Sequence, residues 1–317
     1  MIFTNEGISM LESFIIVGTQ VAVLFILIAL GFFGGKIKML NKDGVKCIND
    51  IMLYFVTPCV IIHAFQREFD VTMLKNLLLS ILGSVISHAL CYIVGFLLIR
   101  NKEEAKKTVL RFAICFSNCG FMALPLLEAL LGSEGVFYGA GYLTIFNILV
   151  WSSGQYSMAK GTDGFDKKKI ILNPGVLSVF VGLFFFFTSI KLPEMIGSPI
   201  AFLAALNTPV PMLIIGYTIS GLKFKDFLNI KEEALTILSR LVIVPLLLLG
   251  ILYVLGYRGN LLVATIVSAS APVAAITTMF SIKFNRDEKT ASKLVAVSSL
   301  FSIVTMTLIV AFARTIA

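Results

Sequence analysis

The chain consists mainly of long apolar runs separated by short polar turns. Ten such runs can be drawn along its 317 residues, and each is close in length to a helix that crosses about 30 Å of hydrocarbon. Because hydrocarbon offers no partners for backbone polar groups, each run must form a helix. The pattern predicts an all-α membrane protein with ten transmembrane helices, here called segments 1 to 10. They lie near residues 14–33, 47–65, 74–99, 112–131, 136–158, 174–190, 199–222, 233–255, 260–281 and 293–313.

Composition and charge support this reading. Only 14% of the residues are charged, whereas a soluble domain has about 25%. Alternate turns hold twenty lysines and arginines, while the other turns and the termini hold four. The positive-inside rule therefore predicts a multi-pass protein of the cell membrane with both termini outside. The net charge of +8 is spread over these turns rather than along one polar face, so no nucleic-acid partner is expected.

The two halves of the chain resemble each other. Segment 2 contains FVTP ending at Pro58, and segment 7 contains LNTP ending at Pro209, 151 residues later. Pro125 in segment 4 and Pro272 in segment 9 are 147 residues apart. A repeat of five helices is odd, so its second copy must enter the membrane from the opposite side. The sequence predicts two inverted five-helix repeats, at 1–160 and 174–317, joined by a short cytoplasmic linker at 161–173.

Segments 4 and 9 are expected to be broken. Each has a proline among small and polar residues in mid-span, in SNCGFMALPLLEALLG (117–132) and SASAPVAA (268–275). Proline removes a backbone donor and frees a carbonyl, which is tolerated in hydrocarbon only inside protein or beside a watery cavity. Crossing, discontinuous helices would point positive half-helix N-termini at a bound anion. The alternative is that both prolines only kink packed helices.

Residues for catalysis or metal binding do not cluster in the sequence. The five cysteines form no CxxC pair, and neither His63 nor His88 has an acid or cysteine at a useful spacing, so no enzyme, cofactor or metal site is expected. Both histidines are expected to be structural. Arg240 is expected to snorkel to the headgroups as a packing or anchoring residue. No buried acid pair is present for cation exchange, although carbonyls freed at the breaks could hold sodium.

NCGFMALPLLEALLG at 118–132 resembles the auxin efflux carrier family, which includes plant PIN auxin exporters and bacterial carriers described as malate or malonate permeases. An asparagine seven residues before proline, then Leu-Leu, a small residue and glycine, is the shared pattern. Further matches extend along nearly the whole chain, including Pro58 followed by His63 and Arg240 followed by Pro245. The long cytosolic loop of the plant exporters is missing, which is typical of a compact prokaryotic member.

The resemblance implies a substrate site where segments 4 and 9 cross. Asn118 corresponds to the position that binds the substrate carboxylate, and Asn147 to one that often has glutamine facing the same cavity. Ile61 replaces a serine of the plant site, which argues against plant-like auxin specificity. Asn118 could instead be a hydrogen-bonding link between helices. The predicted substrate-binding residues are Asn118, Pro125, Asn147, Pro272, Ser270 and Ile61.

The predicted function is secondary transport of a small organic anion, a carboxylate that is auxin-like or a dicarboxylate. The family implies alternating access of elevator type, with segments 1, 2, 6 and 7 as scaffold and the others as the mobile bundle. An anion channel and an ion-coupled symporter of the same fold are the alternatives. The expected partners are the anion and the lipid bilayer, while a homodimer and coupling to protons or sodium stay open.

Overall fold

The computed structural model describes residues 10–100, 103–160, 174–221 and 233–317. The predicted linker at 161–173 and the basic turn at 223–231 therefore lie outside the described residues. The described chain is helical, and its β-structure is one isolated bridge between Ser117 and Val273. The helices within these described ranges are α1 (Met10–Lys36), α2 (Lys42–Ala64), α3 (Val71–Leu98), α4 (Glu104–Cys115), α5 (Cys119–Ala159), α6 (Pro174–Thr188), α7 (Glu194–Ala205), α8 (Pro209–Ser220), α9 (Ala234–Val254), α10 (Gly259–Ser270), α11 (Ile276–Lys283) and α12 (Glu288–Ile316).

Six helical stretches of the described chain are long and apolar enough to cross a membrane. They are α2, α3, α5, the continuous pair α7 and α8, α9 and α12. Shorter apolar stretches are Ala22–Lys36 within α1, α6 (Pro174–Thr188) and α10 (Gly259–Ser270). An all-α membrane protein is therefore the correct fold class.

Gly132 interrupts α5. Its φ of 62° and ψ of −156° lie in a region that residues with a Cβ rarely adopt, so the helix stops there and restarts. The stretch before Gly132 is the second part of segment 4, and the stretch after it is segment 5. Glycine at this position lets two helices join without a loop.

Three prolines follow a wide helical turn of the π type. These turns span Met52–Val56, Cys119–Ala123 and Ser239–Ile243, and in each case proline comes two residues after the turn. A proline ring clashes with the carbonyl one turn earlier and cannot donate to it. A π turn shifts the hydrogen bonds by one residue and so relieves that conflict. The helices continue through Pro58, Pro125 and Pro245 rather than breaking at them.

The break in segment 4 consequently lies before Pro125. Helix α4 ends at Cys115, and α5 begins at Cys119. Segment 9 behaves as the sequence suggests, because α10 ends at Ser270 and α11 begins at Ile276, on either side of Pro272. The residue before a proline is held out of the helical region, and Ala271 indeed has φ −59° and ψ 148°.

The helices pack in two groups. Helix α1 packs against α8, and α2 packs against α6 and α7. In the other group, α5 packs against α3 and α10, while α10 also contacts α9 and α12. A long contact between α1 and α12 joins the groups. The broken helices belong to the second group, and their breaks face α2 and α8 of the first.

Candidate substrate site at the two interrupted helices

The two interruptions meet as a pair of short extended segments. The backbone nitrogen of Asn118 donates to the Pro272 carbonyl at 2.7 Å, and the backbone nitrogen of Ala274 donates to the Phe116 carbonyl at 3.0 Å. These bonds flank the bridge between Ser117 and Val273. The backbone groups released by each break are thus satisfied by the other break, as a low-dielectric interior requires.

The carbonyl ends of the two preceding helices are also occupied. The Ser117 hydroxyl donates to the Ser268 carbonyl at 2.9 Å, and the Ser270 hydroxyl donates to the Val267 carbonyl at 3.2 Å. The Arg240 guanidinium donates to the carbonyls of Ile114 (2.8 Å) and Ala269. These four carbonyls beside the breaks therefore already accept protein hydrogen bonds.

A cavity lies beside the paired segments and has about 630 Å³ of empty space, including its open mouth. Four of its lining residues are polar: Asn49 and Thr57 of α2, Asn118 at the break, and Asn147 of α5. The others are Leu53, Gly120, Phe121, Leu143, Phe146, Trp151, Ala274, Ala275, Ile276 and Met279. Among the described residues the lining carries no charged side chain, so polar recognition here depends on neutral donors.

Two of these polar side chains have unused hydrogen-bond donors. Asn118 is 4% exposed and Asn147 is 7% exposed. In each, the buried Nδ2 has no hydrogen-bond partner among the described residues. The backbone of Asn118 is fixed, because its carbonyl also accepts from the Met122 nitrogen at 3.0 Å. A buried amide without a partner is costly, so both side chains are suited to a ligand that supplies acceptor oxygens.

The structure brings together two of the six predicted site residues. Asn118 and Asn147 both line the cavity. Pro272 meets the site through its carbonyl rather than through its ring. Ser270 and Ile61 are fully buried away from the described lining, and Pro125 lies within α5, beyond the π turn.

Sequence reasoning missed Asn49 and Thr57. Together with Leu53 they recur every four residues, which places all three on one face of α2. That spacing, which ends at Thr57 within the FVTP motif, was a usable signal. Trp151 also lines the cavity, four residues after Asn147 on α5.

The cavity extends from the breaks toward one end of the molecule. Its lining follows α2 back to Asn49, α5 forward to Trp151 and α11 forward to Met279. Each of these three helices leads into a basic turn, near Lys42, Lys160 and Lys283. In the opposite direction, Ser117 and Ser268 at the breaks are almost fully buried. The mouth therefore faces the basic side.

The expected position of Arg240 is wrong. Its side chain is 0% exposed and is the largest fully buried side chain of the described chain. It does not extend to the headgroups, because the C-terminal ends of α4 and α10 place carbonyl acceptors within its reach. His88 is also buried, and its Nδ1 lies 2.8 Å from the Ser84 carbonyl, which fits the expected structural role. Glu128, three residues after Pro125 in α5, is exposed.

Comparison with known proteins matches the chain to a family of membrane transport proteins. The family described as "Membrane transport protein" matches residues 16–167 and 158–310. An "Uncharacterized transporter" of Methanothermobacter thermautotrophicus is 26% identical over 92% of this chain and 96% of its own length. A second "Uncharacterized transporter", from Methanocaldococcus jannaschii, is 23% identical over 91% of this chain and 96% of its own length.

A third similar protein has a name that includes a substrate. The "Putative malonate transporter" of Rhizobium meliloti is 23% identical over 89% of this chain and 91% of its own length. The similarity to all three proteins runs nearly end to end, and the family match covers most of the chain. The protein is therefore a transporter rather than an enzyme, and it belongs to the membrane transport protein family that includes the auxin efflux carriers.

Proposed function

We propose that the protein is a secondary transporter of a small organic anion, bound at the paired breaks. The proposed architecture has ten membrane crossings in two inverted five-helix repeats. Its two broken helices, α4 with the start of α5 and α10 with α11, cross each other at mid-membrane. Transport would follow an elevator-like alternating access, with α3–α5 and α9–α12 moving against α1, α2 and α6–α8. The two packing groups of the helices support that division.

One observation carries the anion proposal. Asn118 and Asn147 line one cavity, and the buried Nδ2 of each has no partner among the described residues. Amide NH₂ groups donate, and a carboxylate only accepts. The first N–H groups of a helix have no partner within the helix, and those of α5 directly follow Asn118. The start of α11 offers fewer free donors, because the Thr277 and Thr278 nitrogens already donate to the Ala274 and Ala275 carbonyls. A carboxylate therefore complements this cavity better than a cation does.

A carrier is favoured over a channel. The cavity ends at the breaks, where Ser117 and Ser268 are almost fully buried. A conducting channel needs a continuous polar path, whereas a carrier opens to one side at a time. Sodium coupling through carbonyls of the breaks has less support, because those described above already accept hydrogen bonds.

The proposal is tested with purified protein in liposomes loaded with a carboxylate. We expect saturable uptake of a labelled carboxylate that is accelerated by the same anion inside, which is the mark of a carrier. Malonate is the first substrate to try, because the name of the Rhizobium relative mentions it. Non-saturating flux without counterflow would favour a channel, and uptake of cations or neutral sugars alone would contradict an anion site.

The proposed topology predicts which ends are reachable from each side. In a cysteine-free background, Ala105→Cys at the start of α4 is expected to react with a membrane-impermeant thiol reagent only from the cytoplasm. Ala317→Cys at the C-terminus is expected to react only from outside, because twenty basic residues lie in the turns placed inside. Because both variants carry the same reactive group, each variant is the control for the other. Labelling of both from one side would contradict ten crossings.

The break at Pro272 predicts a transport defect. Pro272→Ala lifts the restraint that keeps Ala271 extended, so α10 can grow by residues that now form the site. We expect normal folding with initial uptake lowered several-fold, and a smaller effect for Pro125→Ala, which lies beyond the break. Pro199→Ala within α7 is the matched control and should leave uptake unchanged. Equal uptake by the Pro272 and Pro199 variants would show that the proline does not maintain the break.

A further inference from the structure

Arg240 occupies an unusual position at the junction of the broken helices. Its side chain rises from the π turn of α9 and is completely buried. The guanidinium donates to the carbonyls of Ile114, in the last turn of α4, and Ala269, in the last turn of α10. Asn118 follows Ile114 by four residues, across the extended segment that begins where α4 ends.

No carboxylate of the described residues pairs with this charge. Over residues 10–100, 103–160, 174–221 and 233–317, the ion pairs of the chain do not include Arg240. Glu233, two turns earlier along the chain, is itself paired with Lys293 at 3.2 Å. The side chains with ionisable groups that surround Arg240 are His88 and Cys91 of α3, Cys115 and Cys119 beside the break, and Tyr142 of α5.

The positive charge of Arg240 lies among the partial charges of the four helix ends at the breaks. The C-termini of α4 and α10 each carry about −0.5 of a charge, and the N-termini of α5 and α11 each carry about +0.5. Without Arg240 these four ends would nearly cancel around a bound ligand. The guanidinium neutralises the two C-terminal ends, which leaves a net positive potential of about one charge at the N-terminal ends that border the cavity.

We propose that Arg240 is the fixed counter-charge of the bound anion and that it adapts the site to a substrate carrying a single negative charge. The inference rests on the proposed function and adds the charge state of the substrate. A monoanion brings the buried site close to neutrality, with Asn118 and Asn147 donating to its carboxylate. A dianion leaves one uncompensated charge in a low-dielectric interior, which is strongly unfavourable. A dicarboxylic acid is therefore bound in its half-protonated form.

The test compares malonate with monomethyl malonate, an ester of similar shape that cannot carry a second charge. Dissociation constants are measured by calorimetry on wild-type protein in detergent, where no ion gradient acts. As the pH rises above the second ionisation of malonic acid, we expect the constant for total malonate to increase by about tenfold per pH unit. The constant for monomethyl malonate should stay flat. Because His88 lies near Arg240 whichever ligand is bound, a change shared by both ligands would indicate titration of the protein instead.

Substitutions of Arg240 separate its charge from its packing. Arg240→Gln removes the charge and is expected to weaken monomethyl malonate binding roughly tenfold, and to reduce the preference for the monoanion. Arg240→Lys keeps the charge and should recover most of both properties. A purely structural arginine would instead leave Lys and Gln variants equally impaired, with an unchanged ratio between the two ligands. Gel filtration and thermal unfolding check that each variant is folded.

The outcomes distinguish the two proposals. Wild-type protein that binds both ligands but prefers malonate at high pH would overturn the counter-charge while leaving an anion site. Equal affinities for the two ligands at all pH values would do the same. Wild-type protein that binds neither ligand would overturn both. The wild-type pH series needs no variant, so the inference remains testable even where an Arg240 substitution fails to fold.

Discussion

Replacing Asn118 with alanine is expected to weaken substrate binding by roughly 10- to 150-fold. Asn118 Nδ2 is buried in the cavity without a partner among the described residues, and its backbone is fixed by hydrogen bonds to Pro272 and Met122. A hydrogen bond to a charged group contributes about 1.5–3 kcal/mol, which corresponds to that loss in affinity. The measurement is the dissociation constant for the anion that gives saturable uptake.

Asn76→Ala is the matched control for this variant. Asn76 of α3 is also a partly buried asparagine, but its Nδ2 donates to the Tyr138 hydroxyl at 3.0 Å, outside the cavity lining. Its loss should lower stability without changing affinity. If Asn118→Ala and Asn76→Ala bind the anion equally well, Asn118 is a link between helices and the anion binds elsewhere.

Asn118→Asp is expected to bind the anion more weakly than the alanine variant. The substitution has nearly the same shape but places a negative charge where the carboxylate should lie. Protonation of the new acid removes that repulsion and restores a donor, so part of the lost affinity should return as the pH is lowered. A variant whose affinity is below that of Asn118→Ala at neutral pH and recovers in acid would support direct contact with the anion.

Much of the fold can be predicted from the sequence, because a chain in hydrocarbon must pair its backbone groups within helices. Apolar runs gave helices close to the predicted bounds, and the proline in SASAPVAA marked the break between α10 and α11. The break before Asn118 was placed seven residues too late, at Pro125. A proline indicates where a helix loses a donor, but a π turn can absorb that loss, and nothing local in the sequence announces the turn.

The site was predictable only in part for a similar reason. Asn118 and Asn147 stand out as amides within apolar segments, and the structure places both in one cavity. The position of Arg240 depends on where the ends of α4 and α10 meet, which is a long-range property of the packing. A lone arginine in an apolar run suggests snorkelling until two carbonyl ends are found within its reach. Ile61 and Ser270 were inferred from the resemblance and from the motif, and neither reaches the described lining.

The contact between α1 and α8 is the packing feature whose disruption should be most severe. Gly31 and Gly35 on α1 face Gly216 and Ser220 on α8, so each helix presents two small residues four apart. A Cβ added to Gly216 would overlap the Ile28 carbonyl oxygen and lie 2.6 Å from the Phe32 nitrogen. Both obstacles are backbone atoms, which cannot rotate away. Small residues at such positions let membrane helices approach closely, and dispersion contacts between the helices then hold them.

Gly216→Ala is therefore expected to destabilise the protein by at least about 1–3 kcal/mol, and Gly216→Leu to prevent a monodisperse product. Gly250→Ala in α9 is the matched control, because a Cβ there meets no atom within 4 Å. Alanine in a helix is otherwise favoured over glycine by about 0.5–1 kcal/mol, so the control should be neutral or stabilising. The unfolding midpoint in detergent should consequently fall for Gly216→Ala and stay level or rise for Gly250→Ala. Midpoints that move together would mean that α1 and α8 tolerate separation, and that the first packing group is not the rigid part of the carrier.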